Sequence, residues 1–117
     1  MQFSESLRKT GDFREVYQHG KSYANRFLVM YVRKNQTQQN RLGISVSKKV
    51  GNSIVRHHVT RIIRENYRLQ EGRFSSGLDI VVVARVSAKD ATYWEIESAL
   101  LHLAGLHRVL RKEDGID

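Results

Sequence analysis

Residues 41–68 read RLGISVSKKVGNSIVRHHVTRIIRENYR, and this stretch decides the fold. At its start Leu42, Ile44 and Val46 alternate with smaller residues, which predicts a strand over residues 41–47. The apolar period then changes to that of a helix, which is predicted over residues 52–69. A strand followed closely by an amphipathic helix indicates a sheet with helices packed on it.

The predicted helix is basic along one side. Val55, Val59 and Ile62 share its apolar face, and at about 100° per residue the cations fall opposite them. The basic side contains Arg56, Arg61, Arg64 and Arg68, with His57 and Thr60 inside the same arc. A planar guanidinium group can bind two phosphate oxygens at once and can stack on bases. The stripe therefore predicts phosphate binding, and an ordinary solvated basic face is the alternative.

The turn before this helix adds two further cations. Lys48 and Lys49 are followed by Gly51, which permits an unusual turn, and by Asn52, where the helix begins. A helix N-terminus favours anions because its first N–H groups have no partner inside the helix. We therefore predict that the turn and the helix form one anion-binding surface.

The flanking sequence predicts the other elements. A short helix begins at Asp12, which can cap it, and ends at Gly20. Residues 27–32 are rich in aromatic and branched side chains, so they are predicted to form a strand, paired antiparallel with residues 41–47. The apolar run of residues 78–84 is typical of a central strand that is covered on both faces.

A last helix is predicted to start at Thr92, with Glu95 completing a capping box, and to run past Leu110. Its inward side contains Ile96, Ala99, Leu100, Leu103 and Leu106. The order of elements is thus helix, strand, strand, helix, strand, helix. This order predicts an α/β (α+β) sandwich in which helices cover a small mixed sheet. We predict one domain over residues 1–117, with a tail from about residue 111 that has no apolar periodicity.

The whole chain is basic. Its 117 residues include 20 Lys+Arg against 12 Asp+Glu, which gives a formal charge of +8. A polyanion is the expected partner, because bound cations displace counterions from phosphates. The sequence has no cysteine, no apolar run long enough for a bilayer and no signal-peptide pattern. We therefore expect a cytoplasmic protein, with attachment to an anionic membrane surface as the less favoured reading.

No residue pattern predicts a stand-alone nuclease. The five histidines are scattered, and His57 and His58 are adjacent, so a helix would point them in different directions. The sequence contains no HExxH, P-loop or GxSxG motif. We therefore predict no catalytic and no metal-binding residue in the chain.

Residues 43–56, with Arg61, Arg64 and Glu65, closely resemble the signature of the bacterial ribonuclease P protein component family. Residues 12–17, 19–22, 24–26 and 80–85 also look like family positions, so the resemblance covers most of the chain. It implies a protein subunit of the ribonucleoprotein that removes the 5′ leader from precursor tRNA. In that family, catalysis and the Mg²⁺ that it needs belong to the RNA subunit.

The resemblance also assigns candidate site residues. Binding of the catalytic RNA subunit would involve Lys48, Lys49, Asn52, Arg56, His57, Arg61, Arg64 and Arg68. Binding of the precursor tRNA leader would involve an aromatic cleft of Phe13, Tyr17 and Tyr31, with phosphate contacts from Lys21 and Arg26. Unpaired bases stack well on such rings, although core packing is the alternative for aromatic residues at this spacing.

The family pattern Arg-Asn-Arg-x-x-Lys-Arg reads RHHVTR at residues 56–61. His57 can still donate a hydrogen bond. His58 is expected to turn toward the apolar side, and Thr60 keeps a hydroxyl group but lacks a cation.

Two rival functions remain at this point. A structural RNA-binding protein of the ribosomal type would share the charge and the layers but would not need a leader cleft. A DNA-binding helix-turn-helix protein would need a helix before Asn52, where a strand and a glycine are predicted.

Overall fold

The structure is a computed structural model that describes Met1 and residues 3–111. Within that part of the chain, the strands are β1 (Ser4–Ser6), β2 (Lys21–Ala24), β3 (Leu28–Lys34), β4 (Asn40–Ser45) and β5 (Leu78–Ala84). The α-helices are α1 (Thr10–His19), α2 (Ser53–Gln70) and α3 (Tyr93–Leu106). The tail predicted from residue 111 lies outside the described residues, except for residue 111 itself.

One mixed sheet organises the fold, with the strand order β1-β4-β5-β3-β2. β5 is central, antiparallel to β3 and parallel to β4. Nearly all its side chains are buried, as expected for a strand with helices on one face and a further helix on the other. The α+β class and the central position of residues 78–84 are thus confirmed.

The predicted pairing of the first two long strands with each other is wrong, because β5 lies between β3 and β4. Asn40 fixes β5 beside β4. Its side-chain oxygen accepts a hydrogen bond from the N–H of Leu78 over 2.8 Å, and its amide group donates to the carbonyl of Ser75 over 2.8 Å. These contacts join residues that are more than thirty positions apart, so no local pattern could predict them.

Two short edge strands were not predicted. β1 pairs in parallel with β4, and β2 pairs antiparallel with β3. The start of α1 also differs from the prediction: the helix begins at Thr10, and Asp12 lies in its first turn rather than capping it. Its end is at Gly20 as predicted, where the backbone is extended and a Cβ atom would lie 2.5 Å from the carbonyl oxygen of Val16.

The main core lies between one face of the sheet and the helices α2 and α3. A second, smaller core on the opposite face joins α1 to the sheet through Leu7, Val16 and Val81. The capping box of α3 is present: the N–H of Glu95 donates to the Thr92 hydroxyl over 3.1 Å, and the N–H of Thr92 donates to the Glu95 carboxylate over 2.9 Å.

The predicted extent of α3 is wrong at its C-terminal end. The helix ends at Leu106, whose side chain is exposed rather than inward-facing. Arg108 then adopts a left-handed conformation with φ 59°, which turns the chain so that Val109 is buried. The helix therefore stops because this turn, and not another helical turn, returns an apolar side chain to the core.

Candidate RNA interface

The turn between β4 and α2 presents two lysines beside the start of a helix. Val50 is buried, and its N–H donates to the carbonyl of Ser47 over 3.0 Å, so the turn is fixed to the core. Lys48 and Lys49 are exposed on this turn. Asn52 caps α2 by accepting a hydrogen bond from the backbone of the first turn over 2.9 Å. Two ammonium groups thus lie close to the positive end of the helix dipole.

Three arginines continue the basic surface along α2. Arg61 and Arg64 are exposed, and Arg56 is half-buried. Among the residues that the structure describes, no carboxylate forms an ion pair with any of the three. The Nε atom of Arg56 is buried without a hydrogen-bond partner. A phosphate would therefore not have to displace a carboxylate from any of the three guanidinium groups, and those of Arg61 and Arg64 are exposed to it.

Arg68 differs from the other arginines of the predicted stripe. Its Nε and Nη2 atoms donate to the two carboxylate oxygens of Glu65 over 3.0 and 2.6 Å. The hydrogen bonds from Arg68 lower the pKa of the Glu65 carboxyl group. Because this carboxylate offsets its charge, Arg68 can bind a phosphate only in competition with Glu65.

The three departures from the family pattern have different surroundings. His57 and His58 are both exposed, so the expectation that His58 turns toward the apolar side is wrong. Val59 and Ile63 occupy that side instead. The hydroxyl group of Thr60 donates to the carbonyl of Arg56, four residues earlier, over 2.8 Å. Its proton is therefore engaged within the helix.

The three aromatic residues predicted to bind the leader form a cluster between α1 and the sheet. Ring centroids of Tyr17 and Tyr31 are 4.9 Å apart and nearly perpendicular, and those of Phe13 and Tyr17 are 6.3 Å apart. Phe13 lies against Gly43, where a Cβ atom would come within 2.6 Å of the ring. Tyr17 is 40% exposed, whereas Phe13 is half-buried. The aromatic cluster thus combines core packing at Phe13 with an accessible ring at Tyr17.

Ion pairs fasten α1 above the sheet beside this cluster. Arg41 on β4 donates to both carboxylate oxygens of Asp79 on β5, over 2.8 and 2.7 Å, and lies 3.6 Å from the Asp12 carboxylate on α1. A second ion pair joins Arg33 on β3 to Glu15 on α1 over 3.2 Å. Burial disfavours the ionised form of Asp79, but the hydrogen bonds that it accepts outweigh burial and lower the pKa of its carboxyl group. Asp79 thus joins β5 to β4 and, through Arg41, to α1.

The structure does not bring Lys21 and Arg26 to the aromatic cluster. Lys21 pairs with Val32 in the sheet, and its ammonium group lies 5.1 Å from the ring centroid of Tyr23, whose side chain packs on the main core. That core is on the opposite face from Tyr31. Arg26 lies in the loop between β2 and β3, with its guanidinium carbon 4.9 Å from the ring centroid of Phe27.

Arg26 instead belongs to a surface that the sequence reasoning missed. It lines a shallow groove together with Lys49 and Arg85, so this groove borders the lysine turn. Arg85 is exposed and follows β5 directly. Its position was a usable signal: a cation directly after a buried strand lies at the end of the sheet where the parallel strands β4 and β5 both finish.

Neither a metal site nor a membrane span is found in the described part of the chain. There, no three histidine, aspartate or glutamate side chains are grouped so that they could hold a metal ion. In the same residues, no helix has the length together with the apolar character that crossing a bilayer requires.

A mixed sheet with a basic helix on one face and an aromatic cluster on the other defines a small α+β RNA-binding protein. A family model described as Ribonuclease P matches residues 1–107 of the chain. The chain therefore belongs to the ribonuclease P protein component family, and its role is that of such a component in tRNA processing. This role makes ribonuclease P RNA its partner.

Similar proteins support this assignment over nearly the whole chain. The ribonuclease P protein component of Lachnoclostridium phytofermentans is 58% identical over 111 residues, which are 95% of this chain and 96% of the relative. The solved RNase P protein of Staphylococcus aureus superposes with a TM-score of 0.85 at 38% identity, covering 92% of this chain and 99% of the other. The Thermotoga maritima protein superposes with a TM-score of 0.79 at 35% identity, covering 86% and 94%.

Proposed function

We propose that this chain binds the catalytic RNA subunit through its basic surface and the 5′ leader of precursor tRNA through its aromatic cluster. The basic surface contains Lys48, Lys49, Asn52, Arg56, His57, Arg61 and Arg64, with Arg68 at its edge. The observation that carries the proposal is that, within the described residues, no carboxylate forms an ion pair with the lysines or arginines of this surface, apart from Glu65 with Arg68 at its edge. On the sheet, by contrast, Arg33 and Arg41 are each bound to carboxylates.

The leader is proposed to bind as an unpaired strand. Tyr17 offers an accessible ring, and its T-shaped contact with Tyr31 holds that ring in place. A base stacked on such a ring contributes roughly 1–3 kcal/mol, with little dependence on sequence. Sequence tolerance suits a leader, because the leaders of different precursors need not share a sequence.

In this proposal the bond is cut by the RNA subunit, with Mg²⁺ that the RNA holds. The described part of the chain offers no group of three or more side chains that could hold a metal ion for phosphodiester hydrolysis. The chain would contribute binding energy, orientation of the leader and relief of phosphate repulsion. We place this work in the cytoplasm, in keeping with the absence of cysteine.

Reconstitution tests the proposal directly. The full chain would be combined with a bacterial ribonuclease P RNA at low Mg²⁺ concentration, and leader removal from a precursor tRNA would be measured. We expect the chain to restore cleavage that the RNA alone performs poorly under these conditions. The variant in which Arg61 and Arg64 are both replaced by alanine should lose most of this rescue.

Lys34→Ala is the matched control, because Lys34 is an exposed cation that pairs with the start of β5, whereas the lysine turn follows the other end of the sheet. It should retain the rescue. Tight binding of the RNA without any rescue of leader removal would instead support the rival function, a structural RNA-binding protein.

A further inference from the structure

We infer that Trp94 and Arg26 form a further RNA site, which takes one unpaired base and its adjacent phosphate. The site lies beside α3, on the main-core face of the sheet, whereas the aromatic cluster lies on the opposite face. The inference extends the proposed RNA binding to a surface that neither the leader nor the basic helix occupies.

Trp94 is unusually accessible for its size. Its side chain is 70% exposed on the first turn of α3, and its ring contacts Tyr93 edge to face, with centroids 5.0 Å apart. The inward side of the helix is occupied by Ile96, Ala99 and Leu100 instead. The indole ring therefore has a broad surface free for stacking. Packing against the described residues does not explain why a tryptophan stands at this position.

A groove beside this ring contains a second flat group. Trp94, Ser98 and His102 line it from α3, and Arg26 and Phe27 line it from the loop before β3. Phe27 is buried and forms part of the wall, with the guanidinium group of Arg26 4.9 Å from its ring centroid. Such stacking orients a guanidinium plane while leaving its N–H groups able to donate to phosphate.

Asn25 holds this groove in a preformed shape. Its side-chain oxygen accepts hydrogen bonds from the N–H groups of Phe27 and Leu28 over 3.3 and 3.1 Å. Its amide group donates to the carbonyl of Ala99 over 3.0 Å and to Nδ1 of His102 over 3.2 Å. The loop that contains Arg26 is thereby fastened to α3, so a ligand would not have to order it.

The charges around the groove favour a polyanion. Arg26 also borders the neighbouring groove of Lys49 and Arg85, and none of these three cations is ion-paired within the described residues. The acid that lines the Trp94 groove is Glu95, whose carboxylate already accepts the N–H of Thr92. An exposed aromatic ring next to unpaired cations is the arrangement that binds unpaired RNA. Lys49 connects this neighbouring groove to the proposed basic surface.

Trp94 is the one tryptophan in the sequence, so its fluorescence reports on this groove alone. The full chain would be titrated with a short oligoadenylate, with excitation chosen to avoid tyrosine. We expect saturable quenching that weakens as salt is raised. An abasic oligonucleotide of the same length should quench far less, because it keeps the phosphates but cannot stack.

Two variants localise the effect. Arg26→Ala should lower the apparent affinity measured by quenching about tenfold. Lys34→Ala removes an exposed cation from the other end of β3 and should leave this affinity unchanged. With a labelled oligoadenylate and Tyr17→Ala as the background, so that the proposed leader site does not contribute, Trp94→Ala should weaken binding by about tenfold, whereas Trp94→Phe should retain most of it.

Equal quenching by the abasic strand, or no quenching by either strand, would overturn the inference. A fluorescence change that depends on protein concentration without RNA would also overturn it, since it would indicate a second copy of the chain as the occupant. These outcomes leave the proposed function standing if leader removal is still rescued. Tyr17→Ala, on the opposite face, should not alter the quenching.

Discussion

Arg61 and Arg68 are both exposed on α2, but of the two only Arg68 is ion-paired with a carboxylate in the described structure. Arg61→Ala is expected to weaken binding of the RNA subunit and to lower the slope of log affinity against log salt by about one unit or somewhat less. Arg68→Ala should change the slope less, because Glu65 already offsets that charge. Affinities measured for both variants across a salt series give the two slopes. Identical slopes in the original chain and in Arg61→Ala would show that Arg61 does not contact phosphate.

Tyr17 separates leader binding from general RNA binding. Tyr17→Ala should reduce the preference of the reconstituted particle for precursor over mature tRNA, by an amount equivalent to ~1–3 kcal/mol for one lost stack. Tyr17→Phe keeps the ring and is the control. Dissociation constants for both substrates give the preference, and an equal loss for the two would argue against the aromatic cluster as the leader site.

The sequence predicted the exposure of the α2 arginines, but it did not predict the surroundings of every candidate residue. The exposure of Arg61 and Arg64 follows from helical periodicity, which depends on neighbouring residues alone. Arg68 and Glu65 are three positions apart on one helix, so their ion pair could have been predicted from the sequence. Lys21 was assigned to the wrong neighbourhood because the face of a strand residue depends on a pairing register, and β2 itself was not predicted.

Gly43 on β4 determines how closely α1 approaches the sheet. In Gly43→Ala, the added methyl group would lie 2.6 Å from the Phe13 ring, so the ring and the helix must move. We expect a loss of about 1–2 kcal/mol in the free energy of unfolding, measured by urea denaturation. Gly11→Ala on α1 is the control, because nothing lies within 4 Å of its added Cβ atom. That variant should be neutral or slightly more stable.

The bond between Arg41 and Asp79 makes the attachment of β4, β5 and α1 depend on pH. The folded pKa of Asp79 lies below its unfolded value, so the carboxylate stabilises the fold above about pH 4, and this contribution is lost as pH falls through the folded pKa. Arg41→Met should cost about 3 kcal/mol near neutral pH, because it leaves a buried carboxylate without its main partner. The cost should shrink in acid. Urea unfolding at about pH 7 and about pH 3 measures both values, and a cost that is independent of pH would contradict this account.

At the scale of elements, those with strong local signals were predicted well. β5 has a continuous apolar run, and α2 and α3 have both periodicity and N-terminal caps. β1 and β2 are three and four residues long and mostly exposed, so they lack an apolar alternation. They form because β4 and β3 offer them hydrogen-bonding edges, which is information from distant parts of the chain.

The molecule as a whole presents the basic helix and the aromatic cluster on opposite faces of one sheet. α2 packs on the main core, and the aromatic cluster joins the smaller one. The losses from Arg61→Ala and Tyr17→Ala should therefore add in free energy to within about 0.5 kcal/mol, because the two residues share no partner. Rates of leader removal for the single and double variants measure this. A double variant no worse than either single one would mean that both residues serve one site.

The order of the strands was the largest error at this scale. Two long strands joined by a short link suggested a hairpin, but the connection after β4 passes through α2 before β5 enters between β3 and β4. Local sequence patterns indicate which segments form strands. Which strands pair with each other depends on the burial of both faces of β5. That burial requires α1 on one side and α2 with α3 on the other.

This inserted strand has a consequence for synthesis on the ribosome. β3 and β4 are complete by residue 45, yet the strand that joins them ends at residue 84. A nascent chain that has emerged only as far as α2 has its basic helix before it has a finished sheet to support it. The sheet can therefore close only after residue 84 has left the exit tunnel.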